Sequence, residues 1–187
     1  VIGAVAWRRL AAWFVAAVRD LAVGSGATVA ALDLGGGWTP AQLDRAFASD
    51  LGELMRDVSA KLSAVEECVI EPGKALVEEG FALIASVVEV RRRGGRRECV
   101  VDASVAELPH ALARPHRIVA PLDSAHALPP GEDLILGRLC MEDDILAASV
   151  ALPCDLREGD RVAFLDAGAY SASMAWPFGQ GVRWVGT

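Results

Sequence analysis

Thr28-Val29-Ala30-Ala31-Leu32-Asp33-Leu34-Gly35-Gly36-Gly37 begins as a buried strand and ends in three successive glycines. Further along, Cys68-Val69-Ile70-Glu71-Pro72-Gly73-Lys74 follows the same plan, a short apolar strand and then a turn. Consecutive glycines let the backbone turn sharply and carry bare N–H groups close to a ligand. A glycine-rich loop that opens a helix is an anion site on physical grounds, although an ordinary strand-to-helix turn has the same composition. Between the two segments Thr39 caps a predicted helix with Pro40 at its first position. Leu43, Phe47, Leu51, Leu54, Val58 and Leu62 form its apolar stripe. Residues 1 to about 80 thus read helix, strand, helix, strand, short helix, which is the grammar of a βα-barrel.

Upstream of the first strand, residues 1–21 are rich in Ala, Val and Trp. Arg8, Arg9, Arg19 and Asp20 interrupt them too often for a membrane span, and no small-residue cleavage signature follows a clean apolar stretch. The spacing predicts a helix whose face of Leu10, Trp13, Phe14, Ala17 and Leu21 packs on a sheet. The chain does not open with Met, which fits the expectation that its beginning is missing. After Phe81 the texture changes to short runs rich in Val, Ile and Leu at 82–91, 97–103, 117–122, 132–139, 145–152, 160–166 and 182–185. Gly94-Gly95, Pro129-Pro130-Gly131 and Glu158-Gly159-Asp160 punctuate these runs, so the second half is expected to be all-β. The expected division is therefore 1–80 and 81–187.

Composition narrows the function classes. A hydrophobic share of 53% describes a globular protein with a sizeable core. A net charge of -7 argues against a general nucleic-acid binder. The basic run from Arg91 to Arg97 reads instead as an exposed hairpin turn between two strands. Cys68, Cys99, Cys140 and Cys154 lack metal-ligand spacing and sit in or beside apolar runs, as reduced thiols of a cytoplasmic protein do. No metal site is implied.

Two more segments complete an ordered set: Gly137-Arg138-Leu139-Cys140-Met141-Glu142-Asp143-Asp144 and Asp166-Ala167-Gly168-Ala169-Tyr170-Ser171. With the GGG turn and Glu71-Pro72-Gly73-Lys74 they resemble the fold-type III pyridoxal-phosphate decarboxylases of ornithine, diaminopimelate and arginine. In that family the motifs read GGG, EPGR, GPxCxxxD and DAGAY in the same order. The resemblance implies the C-terminal part of a (β/α)8 barrel, followed by a β-barrel or β-sandwich domain. It also implies a soluble cytoplasmic homodimer with active sites shared between subunits and an amino-acid substrate. Phosphate sites in such barrels often lie at the loops after strands seven and eight, where the resemblance places the GGG and Glu71-to-Lys74 segments.

The resemblance assigns roles residue by residue. Gly35, Gly36, Gly37 and Gly73 lie along the pyridoxal 5'-phosphate site, with backbone donors from the GGG turn. Glu71 is the acidic partner that keeps the pyridine nitrogen protonated, so the ring can act as electron sink. Lys74 stands where the family has Arg, and supplies a point charge without a two-pronged planar contact. Tyr170 matches the tyrosine that reaches the phosphate, though a lone tyrosine also suits a core position with its hydroxyl satisfied. Cys140 matches a catalytic cysteine inserted by the partner subunit, and its other reading is a buried inert thiol. Asp144 matches the last acid of that motif, next to the substrate. Met141 replaces the acid that binds the far end of a diamino substrate, with Glu142 and Asp143 as an acidic solvated loop. Arg114, His116 and Arg117 read as surface charge.

Only Lys61 and Lys74 are present, and neither suits the Schiff base that this chemistry needs. The cofactor lysine is expected upstream, and the piece alone should not turn over substrate. The leading reading is a decarboxylase with a non-standard substrate. The alternatives are a non-catalytic homologue that binds or regulates an active relative, and an amino-acid racemase of the same barrel.

Overall fold

The computed structural model of the chain describes residues 4–43 and 45–178. It divides into two compact units, Val1–Val77 and Glu78–Thr187. In the first, helix α1 (Ala4–Ser25) precedes strand β1 (Ala31–Gly36), helix α2 (Arg45–Lys61), strand β2 (Glu67–Glu71) and the short helix α3 (Gly73–Val77). Strands β1 and β2 run parallel, with Leu32 opposite Cys68 and Gly36 opposite Glu71. A parallel pair needs a crossover, and α2 supplies it.

Packing corrects two expectations about the helices. The buried face of α1 is Trp7, Ala11 and Val15, whereas Leu10, Trp13 and Leu21 are exposed, Trp13 to 66%. Away from Arg8, Arg9, Arg19 and Asp20 the helix is apolar over a wide arc, so its period fits more than one face. The stripe that meets Leu32, Trp38, Leu54, Val58 and Leu62 is the one that becomes core. Thr39 caps a 3₁₀ turn, Pro40–Gln42, rather than α2 itself. Its N–H donates to Gln42 Oε1 at 2.8 Å. Helix α2 then begins at Arg45, and Leu54, Val58 and Leu62 carry its stripe as expected. The Phe47 side chain lies outside the described residues.

The second unit is a six-stranded mixed sheet in the order β5-β8-β3-β4-β6-β7. Its strands are β3 (Leu83–Arg93), β4 (Arg96–Val101), β5 (Ile118–Val119), β6 (Pro130–Leu136), β7 (Ile145–Val150) and β8 (Arg161–Phe164), followed by the single-turn helix α4 (Ser171–Met174). Six of the seven expected strands are thus present, and the run 182–185 lies outside the described residues. The long strand β3 serves two neighbours. Leu83 to Ser86 pair with β8, and from Val87 the strand pairs with β4, with a register shift between Val87 and Glu89. A bulge of this kind bends a strand and sharpens its twist. Gly94 and Gly95, both at positive φ, close the β3–β4 hairpin as their composition requires. Arg97 in that hairpin is not merely exposed charge, because its guanidinium donates to the Leu152 and Pro153 carbonyls.

Phe164, Leu108, Ile135, Leu146, Val101 and Val162 form the centre of this unit. Phe164→Ala should lower unfolding free energy by about 3–5 kcal/mol, measured by chemical denaturation. Cys99 shares this core, and burial pushes its thiol up to about 12 despite the nearby Arg97. Near neutral pH a small alkylating reagent should therefore label exposed Cys140 and Cys154 in the native protein and reach Cys99 only on denaturation. Mass spectrometry of the labelled peptides checks this.

Candidate functional site

The parallel pairing of β1 and β2 brings the GGG turn and Glu71 side by side at the carboxyl ends of both strands. In open α/β sheets and βα-barrels this is the end at which ligands collect. Gly36 sits so close to β2 that a Cβ there would collide with the Glu71 carbonyl. Gly35 and Gly37 take φ of +67° and +97°, a left-handed backbone that side chains disfavour. The turn is further fixed by Asp33, whose Oδ1 accepts the Gly35 N–H at 2.8 Å. Asp33 went unassigned in the sequence, where an Asp two residues ahead of a turn glycine is the available signal. Of the three glycine amides, one is thereby committed within the turn. Glu71 is exposed, and Gly73 and Lys74 open α3 immediately after it.

The remaining motif residues lie in the second unit. Tyr170 has φ 68° at the start of α4 and is 42% exposed, so it is not a core aromatic. The Arg114 guanidinium lies 4.7 Å from the centre of its ring, a cation–π contact. Arg117 grips Asp166 through two parallel hydrogen bonds of 2.7 Å. His116 Nδ1 donates to the Leu165 carbonyl at 2.9 Å. Arg114 and Arg117 are exposed, as expected of surface charge, but each of the three residues has a partner. They are tied to the segment from Leu165 to Tyr170, which follows β8, the neighbour of β5 in the sheet.

Cys140 and Met141 are exposed on the loop between β6 and β7, which removes the reading of a buried, inert thiol. Asp144 is different. It is only 3% exposed, and its carboxylate accepts the Val105 N–H at 2.8 Å and the Leu139 N–H at 2.6 Å. Its carboxylate thus faces the protein interior rather than solvent. Among the described residues no group of three or more His, Cys, Asp or Glu could hold a metal ion. No described helix is long and apolar enough to cross a membrane.

The family described as pyridoxal-dependent decarboxylase, C-terminal sheet domain, matches residues 16–168. The chain belongs to this family. Pyridoxal is the cofactor of its members. Diaminopimelate decarboxylase of Escherichia coli K12 is 33% identical over 118 residues, which cover 57% of this chain and 28% of that protein. The arginine decarboxylase of Paramecium bursaria Chlorella virus superposes with a TM-score of 0.76 at 24% identity, covering 95% of this chain and 48% of the other. A lysine/ornithine decarboxylase from Vibrio vulnificus, complexed with cadaverine, gives 0.72 at 21% identity, covering 91% and 47%. The chain thus spans less than a third of the curated relative and about half of the solved ones.

The ion pair at Asp166 carries a pH signature. Hydrogen bonds from Arg117 hold the Asp166 carboxyl below the usual carboxylate range, against the opposing effect of its partial burial. Its contribution to stability is complete above about pH 4 and is lost as pH falls through the depressed value. Asp166→Asn should lower Tm in the neutral region and leave it little changed at acid pH, which flattens the acid limb of a plot of Tm against pH. Gly36→Ala should lower stability by about 1–3 kcal/mol, because its methyl group meets backbone that cannot step aside.

Proposed function

We propose that the chain is the C-terminal portion of a pyridoxal-phosphate-dependent amino-acid decarboxylase whose substrate has no distal ammonium group. The observation that carries this reading is the juxtaposition of the GGG turn and Glu71 at paired strand ends, in a chain of this family. Units 1–80 and 81–187 correspond in this reading to the end of a (β/α)8 barrel and a C-terminal β domain. The protein works as a cytoplasmic homodimer with shared sites.

The donor set at the strand ends suits the cofactor. Glycine amides and an ammonium group are phosphate ligands, and a carboxylate is the natural partner of a protonated ring nitrogen. When bound, pyridoxal phosphate supplies the electron sink for loss of carbon dioxide. Glu71 keeps the proton on the ring nitrogen. Gly35, Gly36, Gly37, Gly73 and Lys74 line the phosphate site, and Tyr170 adds a hydroxyl. Cys140 Sγ governs proton delivery in the site of a partner subunit. Met141, 40% exposed beside it, presents a thioether where related motifs present an acid. A thioether cannot make the charge-assisted hydrogen bond that holds an ammonium group, worth about 1.5–3 kcal/mol.

The full-length gene product, loaded with pyridoxal phosphate, should release carbon dioxide faster from amino acids with an uncharged, bulky or acylated far end than from ornithine, lysine or diaminopimelate. Met141→Asp should shift the kcat/KM ratio toward the diamino substrates by about one to two orders of magnitude. High kcat/KM for ornithine or diaminopimelate with Met141 in place would overturn the substrate assignment. Cofactor binding without turnover of any amino acid would favour a binding or regulatory homologue instead.

A further inference from the structure

The loop that presents Cys140 is fastened at both ends by a buried carboxylate, and the two fastenings meet on one turn, residues 103–108. At the far end, Asp144 turns inward and takes N–H groups from Leu139 within the loop and Val105 in the turn. The Gly137 N–H donates to the Asp144 carbonyl at 2.8 Å, closing the base of the loop. A Cβ on Gly137 would fall on the Asp144 carboxylate, so glycine is what makes room for it. At the near end, Glu107 is 2% exposed and accepts from the Ser104 N–H and Oγ–H at 2.9 and 2.6 Å. Arg138 closes on the same carboxylate with two hydrogen bonds, of 2.9 and 2.6 Å. It also donates from its side chain to the Asp102 carbonyl and from its main chain to the Ala103 carbonyl. Between these anchors residues 140–143 stand exposed.

Arg138 occupies the place of the proline in the GPxC motif. A proline has neither an N–H to give Ala103 nor a side chain to reach Glu107. The near-end fastening therefore depends on the residue that replaces the motif's proline. We propose that Asp144, Glu107 and Arg138 are positioning residues that fix the presentation of Cys140 and Met141, and that Asp144 does not itself bind substrate. That Cys140 takes part in the reaction rests on the function proposed above. The fastening of its loop does not.

Two measurements on the full-length protein separate these layers. In Asp144→Asn an amide NH₂ faces one of the two backbone donors. Amide exchange at Leu139 and Val105 should accelerate by about tenfold or more, while exchange in β3 and β8 stays as in the parent. Arg138→Lys keeps the charge but loses the two-pronged grip, and should speed exchange at Leu139 and Ser104 in the same direction. It carries the test if the Asp144 variant does not fold. In kinetics, Asp144→Asn should lower kcat by about tenfold with KM changed less than about threefold. Adding it to Cys140→Ala should cost nothing further, because residues that act as a unit are not additive. Unchanged exchange at Leu139 in both variants would overturn the fastening. Losses that multiply in the double variant, or a KM effect that exceeds the kcat effect, would return Asp144 to the substrate. Full activity in Cys140→Ala alone would sink the catalytic role of the cysteine and leave the exchange result to judge the loop.

Discussion

A carboxylate removed from water must be met by hydrogen-bond donors, or the cost of its charge falls on the fold. Glu107 and Asp144 impose this constraint on the second unit. Ser104 and Arg138 meet the first, and the Val105 and Leu139 amides meet the second. Because the donors come from segments more than thirty residues apart, the turn at 103–108 and the loop at 137–144 can only be built together. Trp176 joins the same turn, donating its main-chain N–H to the Ala106 carbonyl and its indole N–H to the Val105 carbonyl. The exposed tip at Cys140 thus stands on a hydrogen-bonded base.

The first unit meets its constraint chiefly with backbone. Gly36 must lie against the Glu71 carbonyl for the two strands to pair at their ends, and the positive φ of Gly35 and Gly37 then turns the chain away from the sheet. The strength of such a site lies in amides whose positions the strands dictate. One of them is already committed to Asp33, so the side chain that shapes the turn also limits what it can hold.

The surface around Tyr170 has a mixed character. Arg114 stacks on its ring, Arg117 is neutralised by Asp166, and His116 is fixed through Leu165.

Much of this was legible in the residues themselves. Alternating and apolar runs marked both parallel strands and the six described strands of the sheet, because a strand's period is short and its turns are punctuated by Gly and Pro. The GGG turn, the hairpin at Gly94-Gly95 and the ordered motifs needed no partner to be recognised, since each is a local backbone demand. The buried face of α1 was not legible, because the apolar arc of this helix is wide enough to hold both Trp7 and Trp13. Nor was the inward turn of Asp144, which reads as one more acid in a run of acids. Its burial depends on Val105, a residue distant in sequence, and on the space left by Gly137. The sequence by itself determined where the backbone bends and which strands exist, for these are short-range steric facts. Only the tertiary structure decided which carboxylates hold the loop and which side chains it leaves to solvent, since those depend on donors that meet only when the sheet is assembled.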